Sequence, residues 1–277
     1  MGGTGVSKSQ VSRLCAEIDE RVQAFLTRPI EGSWPYLWID ATYLKSRKGG
    51  RVLSVATIVA VAVNTDGRRE VLGVATGTSE AEVFWTEFLR ALADRGLRGV
   101  KLVIADDHKG LRAAARRVFN AGLQRCRVHW TRNLVAHAAP KQRPAVAAMI
   151  RTIFAQETKA DAFAQWDKVA DTLRERHDKL GALMDSSRED ALADLDDPKA
   201  HWNQLASTHP LERLNKEIKR RADVVGIFPN DDAIIRLVGA LLLEQPDQWA
   251  VSRRDFSLES LARLTDTDLL KLPAAAA

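Results

Sequence analysis

The chain of 277 residues is 45% hydrophobic, enough for one large domain or two small ones with a real core. Its net charge of +5 makes a polyanionic partner plausible without requiring one. Cys15 and Cys126 lie far apart and give no sign of a disulfide framework, so a reducing cytoplasm is expected. The longest apolar run, Val52 to Val63, is too short to span a bilayer, and no secretory leader opens the chain, so no membrane association is expected.

Val11, Leu14, Ile18, Val22 and Phe25 recur at helical spacing and predict a helix within residues 1–30. With Ser7-Lys8-Ser9 at its start, this helix suits either packing on the domain or recognition in a truncated helix-turn-helix unit. From Trp34 the pattern changes to strands. Tyr36 to Ile39 predicts a short strand ending at Asp40, followed by a turn signal at Arg47-Lys48-Gly49-Gly50. Val52 to Val63 is apolar enough to be covered on both faces, and Asn64-Thr65-Asp66-Gly67 turns the chain into a third strand, Glu70 to Thr76. Ser79 and Glu82 form a capping-box pattern before a helix carrying Val83, Phe84, Phe88 and Leu92, which stops near Gly96. Lys101 to Asp106 predicts a buried strand ending in a carboxylate. Leu111 to Gly122 predicts a helix made basic by Arg112, Arg116 and Arg117, and Gln124 to His129 a last short strand. Three strands, helix, strand, helix, strand suits a mixed sheet with helices packed on it.

After Trp130 the spacing is helical. Segments near 142–156, 160–176 and 188–195, broken at Pro140, Pro144 and Pro198, predict an all-α insertion. A further helix begins at Pro210, with Leu211, Leu214 and Ile218 on one face and Glu212, Lys216 and Lys219 on another. Asp231 to Leu243 and Leu258 to Leu270 complete the helical part.

Three acids stand out by position: Asp40 after PYLWI, Asp106 after KLVIA, and Glu212 opening its helix. A carboxylate at the end of a buried strand must be paired or bind a cation. Mg²⁺ takes hard oxygen ligands, and two-metal sites use several carboxylates to clamp a phosphodiester. Turn capping explains Asp40 and Asp106 equally well on chemistry alone, Asp107 competes with Asp106, and on its own helix Glu212 reads first as the acidic end of a solvated pair with Lys216.

WIDATY at 38–43, VIADDHKGLRAA at 103–114, QRCRVHWTRNL at 124–134 and PLERLNKEIKRRADVVGIFPN at 210–230 resemble the Mutator-type bacterial insertion-sequence transposases. The resemblance runs from about Val6 to Leu264. It implies a DDE transposase with an α/β, ribonuclease H-like fold: a mixed sheet, flanking helices and an all-α insertion between the second and third acids. On that pattern residues 1–30 are a helical remnant of an N-terminal DNA-binding region and 31–129 the first part of the catalytic core. Residues 130–206 are the insertion, and 207–277 complete the core. Asp40, Asp106 and Glu212 are the implied catalytic and metal-binding acids, holding two Mg²⁺ ions per active site, or Mn²⁺. Cys126 and His129 match the family's Cys-x-x-His signature. One such pair is half a tetrahedral zinc site, so zinc is not expected; His129 is expected near the acids and Cys126 in the core.

The implied activity is cleavage at transposon ends and strand transfer to target DNA by a homo-oligomer in the bacterial cytoplasm, nucleoid-associated when DNA-bound. His129, Arg132, Lys216, Lys219, Arg220 and Arg221 are the expected DNA contacts, with Arg112, Arg116, Arg117, Arg125 and Arg127 as further candidates. The alternatives are an inactive DNA-binding remnant, or a ribonuclease H-like nuclease that does not join strands. The chain departs from the family pattern at His209, where Asn is common, and at Asp107 and Lys109. It is also shorter at its front than typical members.

Overall fold

The computed structural model describes residues 7–77, 81–175, 178–250 and 256–269. Helix α1 (Lys8–Thr27) starts at a capping box in which Ser7 and Gln10 satisfy each other's backbone N–H. Strands β1 (Tyr36–Lys48), β2 (Arg51–Val63) and β3 (Arg69–Gly77) form the expected meander. Its first turn uses Gly49 and Gly50, both at positive φ, which sets a tight hairpin between β1 and β2. β1 is far longer than the strand expected at Tyr36 to Ile39, so Asp40 lies within it and not at its end. The cause is the β2 partner, which pairs with β1 as far as Lys48. β2 is covered on both faces only from Val55 to Val63.

Helix α2 (Glu82–Asp94) begins after Ala81, with no side-chain cap; Ser79, the expected cap, lies outside the described residues. Strand β4 (Leu102–Ala105), helix α3 (Lys109–Phe119) and strand β5 (Gly122–Arg125) follow. α3 stops at Asn120 in the left-handed conformation, and Gly122, expected inside the helix, opens β5. The sheet order is β3-β2-β1-β4-β5, antiparallel across the meander and parallel from β1 through β4 to β5.

The two faces of the sheet bury different sets. Leu37, Ile39, Val103 and Ala105 pack with Trp85, Leu89, Leu111 and Ala115 of α2 and α3. Tyr36, Trp38, Leu102 and Ile104 face the other way. That second face is covered by helix α9 (His209–Val225) and helix α10 (Asp231–Ala250), through Leu211, Leu214, Ile218, Ile234 and Val238. Full burial of each such aliphatic side chain contributes roughly 1.5–3 kcal/mol. α1 packs on α10, where a Cβ on Gly239 would come within 2.4 Å of Val22, and Arg236 holds Asp19 through two hydrogen bonds. Val11 and Leu14 near the start of α1 are exposed.

Between β5 and α9 lie helices α4 (Arg127–Ala136), α5 (Arg143–Phe154), α6 (Lys159–Arg174) and α7 (Asp178–Ala191), two 3₁₀ turns (Ala193–Asp196 and Lys199–His201) and short α8 (Trp202–Leu205). The segment expected at 188–195 is instead the end of α7 and the first 3₁₀ turn. These helices have their own core around Trp130 and Trp166. Polar pins tie them to the sheet: Gln124 donates to Ala191 O and accepts from Asp194 N, and Arg127 grips buried Asp194 at 2.5 and 2.7 Å. Helix α11 (Leu258–Leu269) closes the fold through a buried relay. Ser260 lies 2.8 Å from His201 Nε2, His201 Nδ1 lies 2.7 Å from the Tyr36 hydroxyl, and that hydroxyl donates to Asp197.

Candidate active site

Parallel pairing sets the first two acids beside each other. Trp38 of β1 is opposite Ile104 of β4, and Asp40 and Asp106 each follow two residues later, so both continue the face that α9 covers. Beyond this point β4 has ended, and the edge it leaves on β1 is taken by Phe228, which exchanges backbone hydrogen bonds with Lys45 and Arg47.

Asp40 is partly buried. One carboxylate oxygen accepts the Ala41 N–H at 2.9 Å and the other accepts the Asn215 amide at 2.7 Å. Burial raises its pKa above the ordinary carboxylate value, and the neighbouring charge of Asp106 adds to that; Ala41, Asn215 and His129 oppose it. Burial also raises Asp106, against the attraction of His129, Arg125 and Arg132. Two half-desolvated carboxylates in one place favour either a proton or a cation between them.

The segment after β5 corrects the sequence reading. The expected strand to His129 ends at Arg125, where Cys126 caps α4, so His129 sits in the first turn of a helix. Cys126 thus directly follows the strand and His129 lies in the helix that replaces it, and the two side chains converge. His129 Nδ1 lies 2.7 Å from Asp106 Oδ1, an ion-pair contact, and both atoms are buried with no other partner. Cys126 is fully buried. Its Sγ accepts from both the N–H and the hydroxyl of Thr208 at 3.5 Å.

Thr208 is the N-cap of α9 and Asn215 lies two turns in. Glu212 falls between them, four residues after one and three before the other, on the same side of the helix. Its side chain is 29% exposed, with the carboxylate 3.4 Å from His209 Nδ1, while the His209 side chain is 84% exposed. Among the described residues, the His, Cys and acidic ligand atoms that all come within 4.8 Å of one another belong to Asp106, Cys126 and His129. Asp40, Asp106 and Glu212 are not drawn together that closely.

Asn215 is the residue that sequence reasoning missed. It is buried on the apolar stripe made by Leu211, Leu214, Ile218 and Ala222, and a polar side chain in such a stripe was the available signal. Its own Oδ1 is buried without a partner.

Of the expected DNA contacts, Lys216, Lys219 and Arg132 are exposed. Arg220 and Arg221 are also exposed but share Glu217 as partner, at 2.6 to 2.9 Å, and those bonds lower the Glu217 pKa to about 2. The further candidates are mostly engaged with acids of the same chain. Arg112 pairs with Asp190 and Asp107, Arg117 with Glu82, Arg125 with Asp107 and Arg127 with Asp194. Arg127 is thereby a structural pin.

Taken together these features define a mixed α/β protein whose five-stranded sheet, with helices on both faces, carries an acidic site where Asp106 follows β4 beside Asp40 within β1. The chain belongs to the Mutator family of transposases, whose profile matches residues 1–252. It is 44% identical over 274 residues to the transposase for insertion sequence element IS1081 of Mycobacterium tuberculosis, covering 97% of this chain and 66% of that protein. It is 41% identical to the IS406 transposase of Burkholderia multivorans over 250 residues, covering 90% and 64%. With the transposase for IS256 in transposon Tn4001 of Staphylococcus aureus it shares 36% identity over 263 residues, covering 92% and 66%. The chain thus spans a little under two thirds of the length of these relatives. Among the described residues no helix is long and apolar enough to cross a membrane.

Proposed function

We propose that this chain is the catalytic part of a DNA transposase of the DDE type, with a ribonuclease H-like core at 31–129 and 207–277 interrupted by the helical block 130–206. It cuts double-stranded DNA at transposon ends and joins the freed 3′-hydroxyl to target DNA, working as a homo-oligomer on the DNA. The observation that carries this reading is the side-by-side placement of Asp40 and Asp106 beneath the helix that bears Glu212.

The residues fit a hard divalent cation. Asn215 Oδ1 is a buried oxygen that no hydrogen bond uses, Asp106 Oδ1 is buried with His129 as its one polar contact, and both Asp40 and Asp106 carry pKa values raised by burial. Asp40, Asp106 and Glu212 are the residues that would hold two Mg²⁺ or Mn²⁺ ions, which supply Lewis acidity at the attacking and leaving oxygens. Asn215 holds one Asp40 oxygen in place and leaves the carboxylate able to turn its other lone pairs outward. The Thr208 contacts to Cys126 fix the start of α9 against the end of β5, and so fix where Glu212 begins its turn. His129 and Arg132, both close to Asp106, serve a phosphate bound at the acids. Lys216 and Lys219 offer unpaired charge along α9, and Arg220 and Arg221 exchange Glu217 for DNA phosphates.

Pre-nicked transposon ends incubated with target DNA and Mg²⁺ test the proposal. Strand-transfer product is the expected outcome. Binding without chemistry would instead indicate a DNA-binding remnant, and cleavage without joining a nuclease.

A further inference from the structure

The thiol of Cys126 has no place in hard-cation chemistry, because Mg²⁺ and Mn²⁺ select oxygen ligands. Its position is nevertheless that of a ligand. Sγ, a His129 ring nitrogen and an Asp106 carboxylate oxygen all lie within 4.8 Å of one another, and His129 Nδ1 and Asp106 Oδ1 are buried atoms with no partner beyond their own 2.7 Å contact. Strand β5 delivers Cys126 at its end, the first turn of α4 delivers His129, and β4 delivers Asp106 beside them, held by the Cys126 N–H to Ala105 O bond at 2.8 Å.

We propose that Asp106, Cys126 and His129 form a binding site for a thiophilic divalent ion such as Zn²⁺, and that this ion competes with the hard cations for Asp106. One thiolate, one imidazole and one carboxylate with an open fourth position is a three-ligand zinc set. The ligands of one tetrahedral ion sit about 3.3 Å or more apart, given bonds of about 2.0–2.3 Å. The 2.7 Å His129 to Asp106 contact reaches that spacing by opening less than about 1 Å, through side-chain rotation of two partly exposed residues. Binding displaces the Cys126 proton to solvent. The Thr208 N–H and hydroxyl already point at the sulfur, so the thiolate keeps two donors, at the amino end of α9, while it ligates. The proposed site uses the same Asp106 carboxylate that a hard cation needs, so occupancy by a soft ion switches the acidic site off. That consequence rests on the proposed transposase chemistry; the binding itself does not.

The full chain is titrated with CdCl₂ in the absence of DNA, following the ultraviolet thiolate-to-cadmium charge-transfer band, and Zn²⁺ is then added as competitor. The expected result is one ion per chain, a band that Zn²⁺ removes, and no band in Cys126→Ser, while Cys15→Ser behaves as the parent. Asp106→Asn and His129→Ala keep the thiol and should each weaken cadmium binding by at least about tenfold. An absent band in the parent chain, a band that survives Cys126→Ser or disappears in Cys15→Ser, or unchanged affinity in both Asp106→Asn and His129→Ala would overturn the proposal. Failure of strand transfer in Mg²⁺ would count against the transposase reading and leave this site untouched, while failure of cadmium binding would do the reverse.

Discussion

Asp40 and Asp106 stand where the fold has removed much of the water, and this sets what their variants should do. Asp106→Asn keeps the shape and removes the charge, so strand transfer should be lost while affinity for DNA is retained; a gel-shift beside the transfer assay separates the two. Asn215 acts through Asp40. Its amide bond holds the Asp40 pKa down, so Asn215→Ala should raise it and move the acid limb of the pH–rate profile to higher pH. The maximal rate should fall by roughly 10–100-fold, the range for removing a partner that orients a ligand. A second titrating residue lies away from the site. Burial lowers the His201 pKa to about 4 from 6.5, so the unfolded chain takes up a proton that the folded one refuses. The contribution is present above pH 6.5 and is lost as pH falls toward 4. Denaturant titrations of the parent and of His201→Gln should therefore diverge by on the order of 2 kcal/mol between pH 7 and pH 4, with the parent losing more.

At the scale of elements, α9 joins core, site and DNA-facing surface in one helix. Replacing Lys216 and Lys219 together by Ala should weaken DNA binding across sequences and lower the slope of log K against log salt by about 2. Gly239→Ala tests the α1–α10 crossing, because the added methyl meets Val22 at 2.4 Å. It should destabilise the chain by about 1–3 kcal/mol in thermal or denaturant unfolding. Elements with strong periodicity were legible from sequence: the apolar β2, the meander turns, and the stripe Leu211, Leu214, Ile218 of α9. The boundary at Cys126 was not. Arg125 to Val128 alternates as a strand would, and only the tertiary bond from Arg127 N–H to Ala206 O and the helical bond from Trp130 N–H to Cys126 O end the strand there. The length of β1 was hidden for a similar reason, since Thr42, Leu44 and Ser46 are buried by α9, α10 and the Phe228 segment, not by a local apolar run.

For the whole molecule, the sheet and its two coverings bring together residues as far apart as Asp40 and Asn215, 175 positions distant. Sequence reasoning could name Asp40, Asp106 and Glu212 because each stood at an element boundary or beside a recognisable motif. Asn215 and the Asp106–Cys126–His129 convergence depend on how β1, β4, β5 and α9 meet, which no local pattern encodes. The most direct test of the proposed function concerns Glu212, the acid whose placement rests on helix geometry between Thr208 and Asn215. Strand transfer of pre-nicked ends in Mg²⁺ should fall by about a thousandfold or more in Glu212→Gln, the equivalent of several kcal/mol of lost Lewis-acid stabilisation, with folding and DNA affinity unchanged. A Glu212→Gln chain that joins strands within about tenfold of the parent would contradict a three-carboxylate site.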